Sequence, residues 1–273
     1  LNRRGRANRA VQNAEPAEPH GRSIGEQVLQ AHHQRPPARD PLFASIPARR
    51  SNKEADDLSR PVRDAELGAV ARKAGVEAGF TTDPTKVGAI RELVLKGADI
   101  EMHLPRTHLE SVKLMRIGAG DVDASPDGID LSGPMIEALS ATGMISRQSL
   151  ADPASEAFRS GEAMIRDTYG SAPAFVWLVT PGNDRAAQLA AGAAYARLNL
   201  AATARGLSMH PMSQTLQEYP EMAETGAAIH RLLAPAGGRV QMLARIGYGP
   251  AVDPAPRWSL EAKLVPSTFG IRG

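Results

Sequence analysis

Cysteine is absent from all 273 residues, which removes disulfide frameworks, thiolate zinc sites and cysteine nucleophiles. It leaves the compartment open, because a chain without thiols tolerates either redox state. No apolar run approaches the roughly 18 residues that span a bilayer, so a soluble chain with no membrane partner is expected. An excess of one charge is missing too: 32 basic against 30 acidic residues leave a net charge of +2. A nucleic-acid binder usually carries a basic stripe. Only Arg3, Arg4, Arg6 and Arg9 cluster, and a basic run at a terminus reads as a solvated end. Aromatic residues make up just 4%.

Several chemical signatures are also lacking. The 7 histidines form no HExxH and no close His/carboxylate cluster in sequence, so no metal site is expected. The acidic, glycine-rich stretch 117–134 lacks the spacing and closing glutamate of a calcium loop and reads as a connector or lid. Ser171, Ser208 and Ser213 have no G-x-S-x-G elbow around them, which argues against a serine hydrolase. No G-x-G-x-x-G follows a strand, which argues against a Rossmann site. The chain begins with Leu1, so it is expected to be processed, cut or missing a piece. Asn2-Arg3-Arg4-Gly5 is followed by Arg6, Asn8, Arg9 and Gln12 instead of the apolar stretch of an export signal. The expected location is cytoplasmic, with twin-arginine export open only to a longer N-terminus.

What is present is helical periodicity interrupted by a few strand-like runs. Residues 1–40 read as a flexible segment carrying one short helix near 23–34, and 41–273 as the main domain. Asp83-Pro84 is a helix start, with Asp at the N-cap and Pro at N1. Val87, Ile90, Leu93 and Val94 follow at helical spacing, and the helix is expected to end near Gly97. Residues 77–82 suit a short strand. Residues 174–180 form a continuous β-rich apolar run, expected to be buried on both faces. Residues 184–205 form a long helix with small residues on nearly every side, which predicts a helix buried all round. Gly206 suits its C-terminal cap. A helix over 221–233 and a strand over 239–246 complete the set. The fold class expected is α+β, a mixed sheet flanked by helices with a long buried helix.

Two segments suggest binding chemistry. Arg49-Arg50-Ser51-Asn52-Lys53 gathers two guanidiniums, an ammonium and a hydroxyl, a composition suited to phosphate. An exposed basic loop is the plain alternative. Downstream, Ala202-Thr203 and Gly206-Leu207 precede His210-Pro211-Met212-Ser213, then come Gly247-Tyr248 and Pro256-Arg257. With Arg60-Pro61-Val62 between, this ordered set over roughly 41–80 and 170–262 resembles the nitroreductase family. Gln188 to Arg197, the run from Gln214 to Pro220, and Gln241 to Gly249 are most similar to its Acg-like branch.

The resemblance implies an FMN-dependent oxidoreductase. NAD(P)H would deliver hydride to the flavin, which would reduce a small-molecule electron acceptor such as a nitroaromatic or quinone. Arg49, Arg50 and Ser51 match positions that hold the FMN phosphate and ribityl chain. Lys53 matches a basic position at the ring edge, and Arg257 a late basic residue that closes on the phosphate. Pro211, Met212, Ser213 and Gln214 match the segment beside flavin N5, through their backbone amides. No side chain is then a catalytic residue, since the chemistry sits on N5. The family builds its site between two subunits, or between two fused halves in the Acg-like branch, with helix 184–205 at the junction. Ala55 stands where the family has an aromatic residue, and the family's N-x-Q-P-W-like loop is missing. Either an upstream piece is absent or the site is incomplete. The alternative function is an FMN-sequestering protein without turnover.

Overall fold

The computed structural model describes residues 38–264. The helix expected near 23–34 lies outside them. The chain divides into two compact units, Leu1–Asp40 and Pro41–Gly273, and the second carries every element below.

A short 3-10 turn, Pro41–Ser45, buries Leu42 and leaves Phe43 exposed. Then come α1 (Asp64–Ala71), β1 (Glu77–Thr81) and α2 (Pro84–His103). The Asp83 side chain caps α2 by accepting from the Lys86 amide at 2.8 Å. After α3 (Pro105–Leu114), β2 (Met115–Ile117), α4 (Gly118–Ala124) and β3 (Ile129–Leu131), the chain continues through α5 (Pro134–Ala141), α6 (Arg147–Ala151) and α7 (Glu156–Gly170). The C-terminal part holds β4 (Ala174–Thr180), α8 (Arg185–Thr203), β5 (Ser208–Pro211), α9 (Ala223–Leu233), β6 (Arg239–Gly247) and the short α10 (Leu260–Lys263). Two 3-10 turns, Gln214–Leu216 and Pro220–Met222, join β5 to α9.

The α+β class is as expected. The mixed sheet resolves into two: a four-stranded sheet of order β1-β4-β6-β5, antiparallel throughout, and a separate parallel pair, β2 with β3. β4 is buried along its whole length, and its period of two divides it cleanly. Ala174, Val176 and Leu178 face a core shared with α1 and α8. Phe175, Trp177 and Val179 face a core shared with α2 and α9. Helices therefore cover both faces, and a continuous apolar strand is the result. Gly79 lies opposite Trp177 across the β1–β4 ladder, and a Cβ there would come within 2.2 Å of the indole.

Three expectations change. α2 does not stop at Gly97 but continues to His103. Gly97 is buried against Thr215, whose Cγ2 would lie 2.8 Å from an added Cβ, so the glycine serves close packing and not termination. Residues 117–134 are not all loop: Arg116 and Asp127 pair at 2.8 Å, Asp121 accepts from Arg147 at 2.8 Å, and these bonds stabilise β2, α4 and β3. α8 is buried on one side only. Ala191, Ala194, Leu198, Ala201 and Ala202 pack inward, whereas Ala186, Ala190 and Ala193 are exposed and Leu189 is 63% exposed. Alanine is small enough to be neutral in either place, so composition could not separate the two faces.

Candidate functional site

The basic segment 49–53 lies along the edge of the sheet. The Asn52 amide donates to the Met209 carbonyl of β5 at 3.1 Å. The Asn52 side chain donates to Ser208 Oγ at 3.1 Å and to the Pro250 carbonyl at 2.8 Å. The segment beyond β6 is thereby brought to the same place, and Gly249 allows the close approach, since a Cβ there would meet Asn52 Nδ2 at 2.8 Å.

Beneath this junction sits Arg245 of β6, 1% exposed. Its Nη1 pairs with Asp56 Oδ2 at 2.5 Å, and its Nη2 donates to the Glu54 and Asn52 carbonyls at 2.5 and 3.2 Å. Its Nε donates to His210 Nδ1 at 3.3 Å. A guanidinium N–H can only donate, so Nδ1 accepts and the imidazole proton sits on Nε2. Burial first, then the charges of Arg245 and Lys53, lower the His210 pKa to about 3. His210 is therefore a neutral imidazole near pH 7. Burial raises the Asp56 pKa, and the Arg245 guanidinium opposes that shift.

A second polar group adjoins the first. Gln214 donates to Tyr169 Oη at 3.0 Å, and the Tyr169 ring meets His210 edge-on at 5.9 Å between centroids. Burial raises the Glu101 pKa, with the Gln214 hydrogen bond acting against it. Sequence reading missed Asp56, Glu101 and Tyr169. They are isolated in sequence, and only the fold brings them beside 208–214.

The residues expected to hold a cofactor divide by what already engages them. The side chains of Arg49, Lys53 and Arg257 make no hydrogen bond or ion pair to the described residues, and Lys53 and Arg257 are exposed. Ser51 is exposed beside them in the segment. Arg50 is turned back onto its own loop, donating to the Pro47 and Arg49 carbonyls at 2.8 and 2.9 Å. Pro211 has no N–H, and the Met212 amide donates to the Leu243 carbonyl at 2.8 Å while its side chain is buried. Only the Ser213 and Gln214 amides of that segment are left for a ligand. A half-open cleft of ≈ 460 Å³ lies elsewhere, between the turn at Thr215 and α9, and none of the expected cofactor residues lines it.

The fold also assembles one His/carboxylate group from two helices. Asp99 and His103, one turn apart on α2, meet Glu162 of α7 with ligand atoms all within 4.8 Å. Arg166 already bonds both carboxylates, at 3.3 Å to Asp99 and 2.7 Å to Glu162, and offsets their charge. The i,i+4 spacing of Asp99 and His103 was the available signal.

No family model matches the chain. Two proteins of Mycobacterium tuberculosis, from strains CDC 1551 / Oshkosh and ATCC 25618 / H37Rv, are each 30% identical over 220 residues. The match covers 79% of this chain and 58% of each relative. Both carry the name "Putative NAD(P)H nitroreductase". The chain is nitroreductase-like. It spans little more than half the length of these curated relatives. Among solved structures, a nitroreductase with bound FMN from Bacteroides fragilis NCTC 9343 is 14% identical with a TM-score of 0.48, covering 84% of this chain and 98% of that one. The FMN-dependent nitroreductase NfnB from Mycobacterium smegmatis, in complex with NADPH, is 16% identical with a TM-score of 0.49, covering 82% and 97%. Among the described residues of this nitroreductase-like chain, no helix is long and apolar enough to cross a membrane.

Proposed function

We propose that this chain is an FMN-binding oxidoreductase of nitroreductase type, which takes hydride from NAD(P)H and reduces a nitroaromatic or quinone. The observation that carries this reading is the docking of segment 49–53 on β5 through Asn52 and Met209, with Arg49 and Lys53 left uncommitted. A segment rich in uncommitted cations, fixed to a sheet edge, fits a dianionic phosphate. The chemistry FMN supplies when bound is hydride acceptance at N5 and onward electron transfer.

The chain's own residues would divide the remaining work. Arg49 and Arg257 hold the phosphate, Ser51 the ribityl side, and Lys53 favours negative charge near the ring. Arg50 shapes the loop through its bonds to the Pro47 and Arg49 carbonyls. The Ser213 and Gln214 amides are the backbone donors for N5. His210 stays neutral near pH 7 and so provides a hydrogen-bond donor at Nε2, not an acid. The exposed alanine side of α8 is the surface for a second copy of the chain.

A second reading, FMN sequestration without turnover, is favoured by the missing N-x-Q-P-W-like loop and the resemblance to the Acg-like branch. NADPH oxidation with menadione, followed by the loss of absorbance at about 340 nm, separates the two. Sustained, FMN-dependent consumption is expected. Flavin that stays bound while NADPH is not consumed would replace the first reading by the second.

A further inference from the structure

We infer that Arg245 is a positioning residue that registers the basic segment 49–53 against the edge strand Ser208–Pro211. The inference rests on the reading of those segments as a cofactor site. One side chain makes four bonds: to the Asp56 carboxylate at 2.5 Å, the Glu54 and Asn52 carbonyls at 2.5 and 3.2 Å, and His210 Nδ1 at 3.3 Å. Three of these fall on the run directly after Arg49, Arg50 and Ser51, and the fourth falls on β5. Both members of the ion pair are buried, with side chains only 2% and 3% exposed.

Such an arrangement fixes position in a way that apolar contact does not. A buried carbonyl or carboxylate that loses its partner cannot turn to water, so the segment has one low-energy placement. The fork geometry matters as well. A lysine ammonium is a point charge and cannot reach a carboxylate, two carbonyls and an imidazole at once. The surroundings are built for close approach. A Cβ on Gly247 would lie 2.8 Å from Asp56 Cγ, so the glycine after Ile246 leaves room for the segment on the strand. The Ser171 hydroxyl accepts from the Asp56 amide at 2.9 Å and closes the other side. Asn52, held in this way, reaches Met209, Ser208 and Pro250. The segments assigned to phosphate and to the flavin ring therefore share one anchor.

The test compares Arg245→Lys with the unaltered chain, using two readouts. The first is trypsin cutting after Arg49, Arg50 and Lys53 without flavin, set against cutting after exposed Arg185. The second is the FMN dissociation constant from fluorescence quenching. Arg245→Lys keeps a charge opposite Asp56, and a cooperative melt verifies its fold. Cutting at 49–53 rises about tenfold while cutting at Arg185 is unchanged, and FMN affinity falls about tenfold. Arg239→Lys, the same exchange at the outer end of β6 where Arg239 pairs with Glu218 at 2.7 Å, changes neither readout. Unchanged cutting at 49–53 would overturn the inference, as would faster cutting with full FMN affinity. If the unaltered chain binds no FMN, the cofactor reading fails alone, and the cutting ratio still decides whether Arg245 anchors the segment. If Arg245→Lys does not fold, Asp56→Asn is measured in the same way with the same expected outcomes.

Discussion

β4 and β6 lie side by side in the centre of one sheet and are both largely buried, yet they are held by different physics. β4 presents Ala174, Phe175, Val176, Trp177, Leu178 and Val179 to apolar neighbours on two faces. β6 does the same with Val240, Leu243, Ala244 and Ile246, but places Arg245 among them. An apolar side chain needs neighbours of the right volume, and many arrangements supply that. A buried guanidinium needs a carboxylate and carbonyl oxygens at defined points. The apolar strand thus stabilises the sheet, while the charged position dictates where a distant segment lies. The second kind of contact is the one found beside the proposed cofactor segments.

The largest expected effect breaks this comparison directly. Phe175→Ala should cost about 3–5 kcal/mol in urea unfolding, from lost burial and the cavity left behind. Arg245→Met should cost a similar amount, about 3–5 kcal/mol, because Asp56 is left buried and charged. Adding Asp56→Leu to Arg245→Met should restore most of that stability, since the uncompensated charge is then gone. No single change around Phe175 should do the same. A double variant no more stable than Arg245→Met alone would mean that the two strands are held alike.

A smaller effect sharpens the apolar side. Gly79→Ala should destabilise by about 1–3 kcal/mol through overpacking against Trp177. The same substitution made in a Trp177→Leu background should cost less, as the indole it meets is gone. Equal costs in both backgrounds would show that the strand, and not the ring, is the obstacle.

Acid should act on the charged side. The unfolded chain protonates His210 near 6.5, whereas the folded chain does so only near 3. The unfolded state binds more protons in that window, so this contribution to stability is full above pH 6.5 and is lost as pH falls toward 3. Between pH 6.5 and 5 it amounts to about 2 kcal/mol. His210→Gln should flatten the fall over that interval, and an unchanged slope would mean that His210 is not held neutral. The smallest effect is expected at the surface. Arg106 bonds Glu221 at 2.6 Å with both side chains well exposed, and Arg106→Ala should cost no more than about 1 kcal/mol.

Periodicity made much of the fold legible. The cap at Asp83, the doubly buried strand 174–180 and the end of α8 at Gly206 each follow from local chemistry. The misses come from tertiary context. Gly97 looked like a helix stop because its packing against Thr215 is made 118 residues away in sequence. The acids of 117–134 looked like loop because their arginine partners, Arg116 and Arg147, carry no local pattern. At the candidate site, Arg49 to Lys53 could be picked out by composition. Asp56 was invisible, because a lone aspartate becomes a partner only once β6 passes beneath it.

The two docked segments are proposed to form one flavin site. The most direct measurement is a titration of the purified chain with FMN, followed by absorbance from about 300 to 550 nm after desalting, beside an Arg49→Ala/Arg257→Ala variant. Flavin bands that stay with the unaltered chain and are lost from the variant are the predicted result. A variant that retains flavin as well as the unaltered chain would contradict the assignment of these residues, and an unaltered chain that takes up no FMN would contradict the site itself.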